Sequence, residues 1–254
     1  FFVDGVSFMQ GAGLVLTSYQ DSLARVMDVT ANNIANVNTT GYKRENVAFD
    51  TYLVRPEAKQ IFNFAIDTGT YRDASQGPTM VTGGPLDVAV QGEGYIPVQT
   101  QEGIRYTRSG SFQLNTDGEL VTAAGDKVLG DGNQAITLPS DAQDILIGSD
   151  GTITAKSGSG TGVTQVGKIS VMKFAEEQAL VPVGDNLYTT DEVPEVSTDS
   201  RVVQGAIEQS NVQAVKEMTR MIEISRAYQR VANLLENEHE RLSRALQKLG
   251  SASA

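Results

Sequence analysis

MTRMIEISRAYQRVANLLENEHERLSRALQKL, residues Met218–Leu249, decides the fold. Its seam residues alternate spacings of three and four for more than four heptads, the repeat that keeps one face of an α-helix turned towards other helices. Met218, Ser225, Ala232, His239 and Leu246 take the a positions, and Met221, Tyr228, Leu235, Leu242 and Leu249 take the d positions. Small or polar residues at a weaken an isolated two-stranded coil but allow other helices close approach. Val215 precedes the seam, and Ile222, Ile224 and Val231 lie outside it and widen the apolar surface. A helix that is apolar on more than one side needs several neighbours.

At the other end of the chain, Leu16, Tyr19, Leu23, Val26, Met27, Thr30 and Ile34 recur at three and four, predicting a second amphipathic helix from about Gly13 to Ile34. Asn32-Asn33-Ile34-Ala35-Asn36-Val37-Asn38-Thr39-Thr40-Gly41 should end it. Asparagine amides bond to local backbone at helix ends, and Gly41 can take a positive φ.

Between the helices the pattern changes to short alternating runs separated by Gly-centred turns. Candidate strands are 86–90, 95–99, 104–107, 111–114, 120–122, 135–138, 145–147, 152–154 and 168–174, with turns at Asp117-Gly118, Asp131-Gly132, Asp150-Gly151 and Ser157-Gly158-Ser159-Gly160. The expected fold is α+β: N- and C-terminal helices forming a coiled-coil-like bundle, with a central all-β domain of short strands and hairpins. Its expected divisions are an N-terminal helical region at 1–40, an extended connection at 41–80, the β domain at 81–174, an extended return at 175–205 and a C-terminal helical region at 206–254. Helix, β domain and helix in that order place both chain ends on one side of the β domain.

Charge follows the same division. Residues 1–55 carry −1, residues 56–205 carry −11 and residues 206–254 carry +1. An acidic middle repels its copies and belongs on an outer surface, whereas near-neutral ends can be crowded together. No basic stripe with interleaved aromatics points to nucleic acid, and no apolar run is long enough to span a bilayer. Residues 1–16 lack a basic leader and a clear cleavage site, so a cleavable signal peptide is not expected.

Catalytic and cofactor chemistry finds little support. The 254 residues include no cysteine and one histidine, His239, which lies within the heptads. Gly92-Glu93-Gly94 resembles part of a dinucleotide fingerprint but runs into strand sequence rather than a helix. Asp117-Gly118 and Asp150-Gly151 lack the spaced acidic ligands of a calcium loop. Ser109-Gly110-Ser111 lacks the setting of a nucleophile elbow, and the many carboxylates read as a solvated surface. No catalytic residue, metal or cofactor is expected.

Ala31-Asn32-Asn33-Ile34-Ala35-Asn36-Val37-Asn38-Thr39-Thr40-Gly41-Tyr42-Lys43 resembles the N-terminal signature of the flagellar rod and hook family of axial proteins. Gly77-Pro78-Thr79, Thr82 to Tyr95, Tyr106-Thr107-Arg108-Ser109-Gly110-Ser111-Phe112 and Gly205 to Val212 agree in order. Gln204 to Val212, with Glu217-Met218-Thr219 and Ser225-Arg226-Ala227-Tyr228-Gln229, is most similar to the proximal-rod branch, then the distal-rod branch; hook members have a larger middle. The resemblance implies export through the flagellar secretion channel, assembly in the periplasm with copies of itself and neighbouring rod proteins, and terminal helices lining a tube with the β domain outside. The expected assembly residues are Leu16, Leu23, Met27, Ile34, Val215, Met218, Met221, Ile222, Tyr228, Leu235, Leu242 and Leu246. A transient assembly adaptor and a cell-wall enzyme using the acidic middle are the competing readings.

Overall fold

The computed structural model describes residues 2–54, 62–157 and 162–252, with side chains described for 13–49, 69–156, 162–245 and 247. The chain forms two compact units. One contains residues 1–35, 45–73 and 213–254, and the other contains 36–44 and 74–212.

The first unit holds both long helices, α1 (Phe2–Ala35) and α2 (Ala214–Ala252), and the antiparallel hairpin of β1 (Glu45–Val54) and β2 (Phe62–Arg72). Helix α1 starts well before the expected Gly13 and stops in the asparagine-rich stretch. The helices meet in one apolar cluster: Leu23, Ile224 and Val231 are buried, with Leu16, Val26, Met27, Ala227, Tyr228 and Leu235 packed around them.

This cluster corrects the a/d seam. Among its described side chains, the buried residues of α2 are Glu217, Ile224 and Val231, which occupy g when Met218 is a. Met221, Tyr228, Leu235 and Leu242 at d are half-buried, while Met218 at a is exposed. Within the chain, α2 therefore uses a d/g face, and Ile224 and Val231, read from sequence as lying outside the seam, are its centre. Tyr19, expected on the apolar face of α1, is 48% exposed. Leu246 and Leu249 lie outside the described side chains.

Residues 41–80, read as an extended connection, contain the β1–β2 hairpin and β3 (Thr79–Val81). The hairpin shifts register between Ala48 and Phe49, beside Gly69 at φ 117°. Positive φ is open to glycine at little steric cost.

The second unit is β-rich. It continues with β4 (Val88–Gln91), β5 (Ile96–Thr100), β6 (Gly103–Thr107), β7 (Gln113–Leu114), β8 (Leu120–Val121), β9 (Lys127–Val128), β10 (Ala142–Ile147), β11 (Thr152–Ser157) and β12 (Val163–Lys168). It then adds β13 (Met172–Lys173), β14 (Val181–Gly184), β15 (Leu187–Thr189), β16 (Glu195–Val196), β17 (Arg201–Gln204) and β18 (Ala206–Glu208). A seven-stranded sheet runs β14-β15-β6-β5-β9-β8-β7, a three-stranded sheet runs β10-β11-β12, and β4–β17, β3–β18 and β13–β16 form pairs. The expected strands at 135–138 and 168–174 contract to isolated bridges and the two-residue β13.

The return stretch 175–205 is no plain connection. It supplies β14 to β17 and, through Leu180 and Tyr188, part of an aromatic cluster with Tyr95, Tyr106, Met172 and Phe174. Tyr106 and Phe174 meet edge to face with centroids 4.8 Å apart, a favoured quadrupole arrangement. A larger aliphatic core includes Val88, Ile96, Val98, Leu120, Val128 and Ile153.

Candidate functional site

The asparagine-rich motif forms two local devices. The first lies in the helical unit, where Asn33 is fully buried at the end of α1. Its Nδ2 donates to the Glu45 carbonyl at 2.8 Å, and its Oδ1 accepts from the Glu45 backbone N–H at 2.9 Å. One amide thus pairs both backbone groups of Glu45, the first residue of β1, which an aliphatic residue cannot do. Asn32 and Ala35 are exposed, and Ile34 is half-buried.

The second lies in the β unit, where the segments on which the chain arrives and departs are clamped together. The Asn36 carbonyl accepts from the Thr39 N–H at 3.1 Å and Asn36 Oδ1 accepts from Thr39 Oγ1 at 3.0 Å, closing the turn after the helix. Asn38 is exposed. Gly41 has φ 71°, and its N–H donates to the Glu208 carbonyl at 2.8 Å. A Cβ there would lie 2.5 Å from the Arg108 carbonyl carbon. Only glycine satisfies both the dihedral and the space. The half-buried Tyr42 accepts from the Asn211 N–H through its carbonyl, while Asn211 Oδ1 accepts from the Arg44 N–H at 2.7 Å.

At the centre of this clamp Glu208 binds two cations. Lys43 Nζ lies 2.8 Å from its Oε1 and Arg108 Nε lies 2.6 Å from its Oε2, with all three side chains at most 4% exposed. The Gly77 N–H donates to Oε1 at 2.9 Å. Lys43 also donates to the Ser75 carbonyl at 2.9 Å, and Arg108 donates to the carbonyls of Val90, Gly92 and Gly94. Burial alone would push the Glu208 carboxyl up, but the charges and hydrogen bonds of Arg108 and Lys43 outweigh it and hold the carboxyl below its usual range. Burial is also the largest influence on Lys43 and lowers its ammonium, because one carboxylate shared between two cations compensates each only in part.

The sequence marked Lys43 but gave no role to Arg108, Glu208 or Asn211. The available signal was that residues 31–43, 106–112 and 205–212, which share the family likeness, carry Lys43, Arg108 and Glu208, charges of opposite sign able to meet.

The twelve expected assembly residues divide. Leu16, Leu23, Met27, Tyr228 and Leu235 belong to the cluster between α1 and α2, and Ile34, Met221 and Leu242 are half-buried. Val215, Met218 and Ile222 are 78%, 52% and 53% exposed. Their spacing of three and four places them on one face. Leu246 lies outside the described side chains.

The chemically suggestive motifs resolve into backbone work. The Gly92 and Gly94 carbonyls accept from Arg108. Asp117-Gly118 is a turn capped by Asn115 Oδ1, which accepts from the Asp117 N–H at 2.9 Å. Asp150 receives the Thr152 N–H and hydroxyl at 3.1 and 2.6 Å. His239 is exposed on α2. Among the described residues, no group of three or more His, Cys, Asp or Glu side chains is placed to hold a metal.

Two helices flanking a β-rich region, with buried charge used to hold backbone, define a structural α+β protein. Comparison with known proteins gives its relationship. Residues 20–43 match the family described as flagella basal body rod protein, residues 89–155 match the flagellar hook protein FlgE/F/G D1 domain, and residues 203–248 match the flagellar basal body rod FlgEFG protein C-terminal region. The chain is 40% identical to the flagellar basal-body rod protein FlgF of Caulobacter vibrioides, over 95% of this chain and 99% of that one. It is 36% identical to the rod protein FlgG of Agrobacterium fabrum, over 85% and 91% of the two chains. Identity to FlgF of Mesorhizobium japonicum is 32%, over 96% and 100%. The chain belongs to the flagellar basal-body rod protein family, and the likeness read at residues 31–43 and 204–229 agrees with FlgF, with FlgG near.

Proposed function

We propose that this chain is a structural subunit of the proximal part of the bacterial flagellar rod, built with its copies and neighbouring rod proteins into a hollow helical shaft that transmits torque from motor to hook. The observation that carries this reading is the exposed stripe Val215, Met218 and Ile222 on α2. The stripe lies on a helix whose opposite side already packs with α1. At 78%, 52% and 53% exposure the three side chains amount to fewer than two fully exposed ones, so covering them with neighbouring helices contributes about 3–5 kcal/mol per copy, at the usual gain of about 1.5–3 kcal/mol for a fully buried aliphatic residue. Head-to-tail contacts that repeat without closing give an open helical assembly. Coiled-coil pairing of the terminal helices between copies belongs to the same proposal, as do passage through the flagellar export apparatus and a final position across the periplasm. The FlgG likeness supports the distal rod as the second reading.

The test is Val215→Asp combined with Ile222→Asp. Both positions are exposed, so the unfolding midpoint should hardly move, while the chain should disappear from purified basal bodies and motility should be lost. Wild-type amounts in the rod and normal swimming would sink the proposal. Leu235→Asp is a poorer probe, because Leu235 packs within the chain's own helical cluster and its loss confuses folding with assembly.

A further inference from the structure

We propose that a polar, acidic groove in the β unit receives the Arg226–Arg230 ridge of α2 from a neighbouring copy. This rests on the rod reading and names a contact within it. The groove has a volume of about 690 Å³ and is walled by the turn Asn36–Thr40, by Ser109 and Ser111, and by Asp126 and Asp185. Neither lysine nor arginine lines it, and neither does an aromatic ring. Its chemistry therefore suits a cationic, donor-rich occupant rather than a stacking ligand.

Such an occupant is present on every copy. Arg226, Gln229 and Arg230 are exposed on α2, and a spacing of four residues sets the two arginines on one face, with Cβ atoms about 6 Å apart. Among the described residues, neither guanidinium has an ion-pair or hydrogen-bond partner. A guanidinium offers a planar fork of donors that a carboxylate accepts in bidentate fashion. The hydroxyls of Ser109 and Ser111 can accept the remaining N–H groups.

Two segments singled out in the sequence each divide their residues between contacts inside the chain and an outward surface. Ser225–Gln229 places Ala227 and Tyr228 in the helical cluster and leaves Arg226 and Gln229 outside. Asn36–Lys43 commits Gly41 and Lys43 to the clamp and turns Thr39 and Thr40 to the groove. One ridge and one groove per copy are different surfaces, so their contact is heterologous, the kind that repeats along an open helix when the rotation between copies does not close a ring.

The chain has no cysteine, so introduced thiols are unique. Cells making Gln229→Cys and Ala124→Cys chains together should yield basal bodies in which a bismaleimide about as long as an arginine side chain links the two chains, which neither variant gives alone. In parallel, Arg226→Glu should lower the incorporated chain roughly tenfold, the effect of losing about 1.4 kcal/mol at the contact, and Asp126→Lys in the same chain should restore it. Unchanged urea midpoints of the purified variants show that folding is intact. Normal amounts of chain in the rod with no cross-link overturn the inference and leave the rod reading standing, and a loss that Asp126→Lys does not restore does the same. Absence of the wild-type chain from basal bodies overturns both.

Discussion

Glu208→Gln tests the central claim about the clamp. The substitution preserves shape and one oxygen, so the Gly77 N–H and the Lys43 ammonium can keep an acceptor, but it removes the one carboxylate shared by two buried cations. It also turns an amide N–H₂ towards Arg108 Nε, or towards Lys43 if the amide flips. Removing one member of a buried ion pair costs about 3–5 kcal/mol, because the remaining charge is buried without compensation. At about 2–4 °C per kcal/mol for a domain of this size, the thermal midpoint of the full chain, followed by circular dichroism, should fall by about 6–20 °C. A second substitution makes the test specific. Lys43→Met should be costly in the wild-type chain and much less costly beside Glu208→Gln, because the second change removes a cation that the first left unpaired. A fall under 2 °C, or an equal cost of Lys43→Met in both backgrounds, would refute the idea that charge compensation holds the clamp.

Gly41→Ala should destabilise the β unit by about 2 kcal/mol or more, because the left-handed backbone alone costs 1–2 kcal/mol and the new methyl meets the Arg108 carbonyl; chemical denaturation measures it. Asn33→Ala should leave the Glu45 N–H and carbonyl without their amide partner and cost about 2 kcal/mol, seen as faster hydrogen exchange at the Glu45 amide, whereas unchanged protection would contradict the amide's role. Acid should unfold the protein partly through Glu208. With its folded value held below the unfolded value of about 4.3, its contribution is complete above that value and is lost as pH falls through the folded one. The slope of stability against pH below about 4 should therefore be shallower in Glu208→Gln.

The helices were legible because a period of 3.6 is written in their apolar residues, and the turns because Gly118, Gly132 and Gly151 take the positive φ that Asp-Gly pairs suggest. The face of α2 was misread by one position, since Glu217 is a charged residue at a buried site and broke the apolar count at g. Strands in 175–205 were hidden because they are short and, in β14, exposed at every residue, so no alternation marks them. The β1–β2 hairpin draws its identity from pairing along its length, which neither strand's composition announces. The clamp was illegible for a different reason. Lys43 and Glu208 are 165 residues apart, and a lone charge in sequence looks the same whether it faces water or a distant partner.

Because Glu208 holds both Lys43 and the Gly77 N–H, the stretch of the β unit from Gly77 to Glu208 is a loop pinned at its base. Lengthening that loop at a solvent-facing hairpin tip, such as Gln101-Glu102 between β5 and β6, need not displace the pin. Foreign sequence grafted there should leave the spacing of the two strands at the base as it was. The β unit is thus suited to carrying size variation in its hairpins while the segments at its base keep a fixed separation.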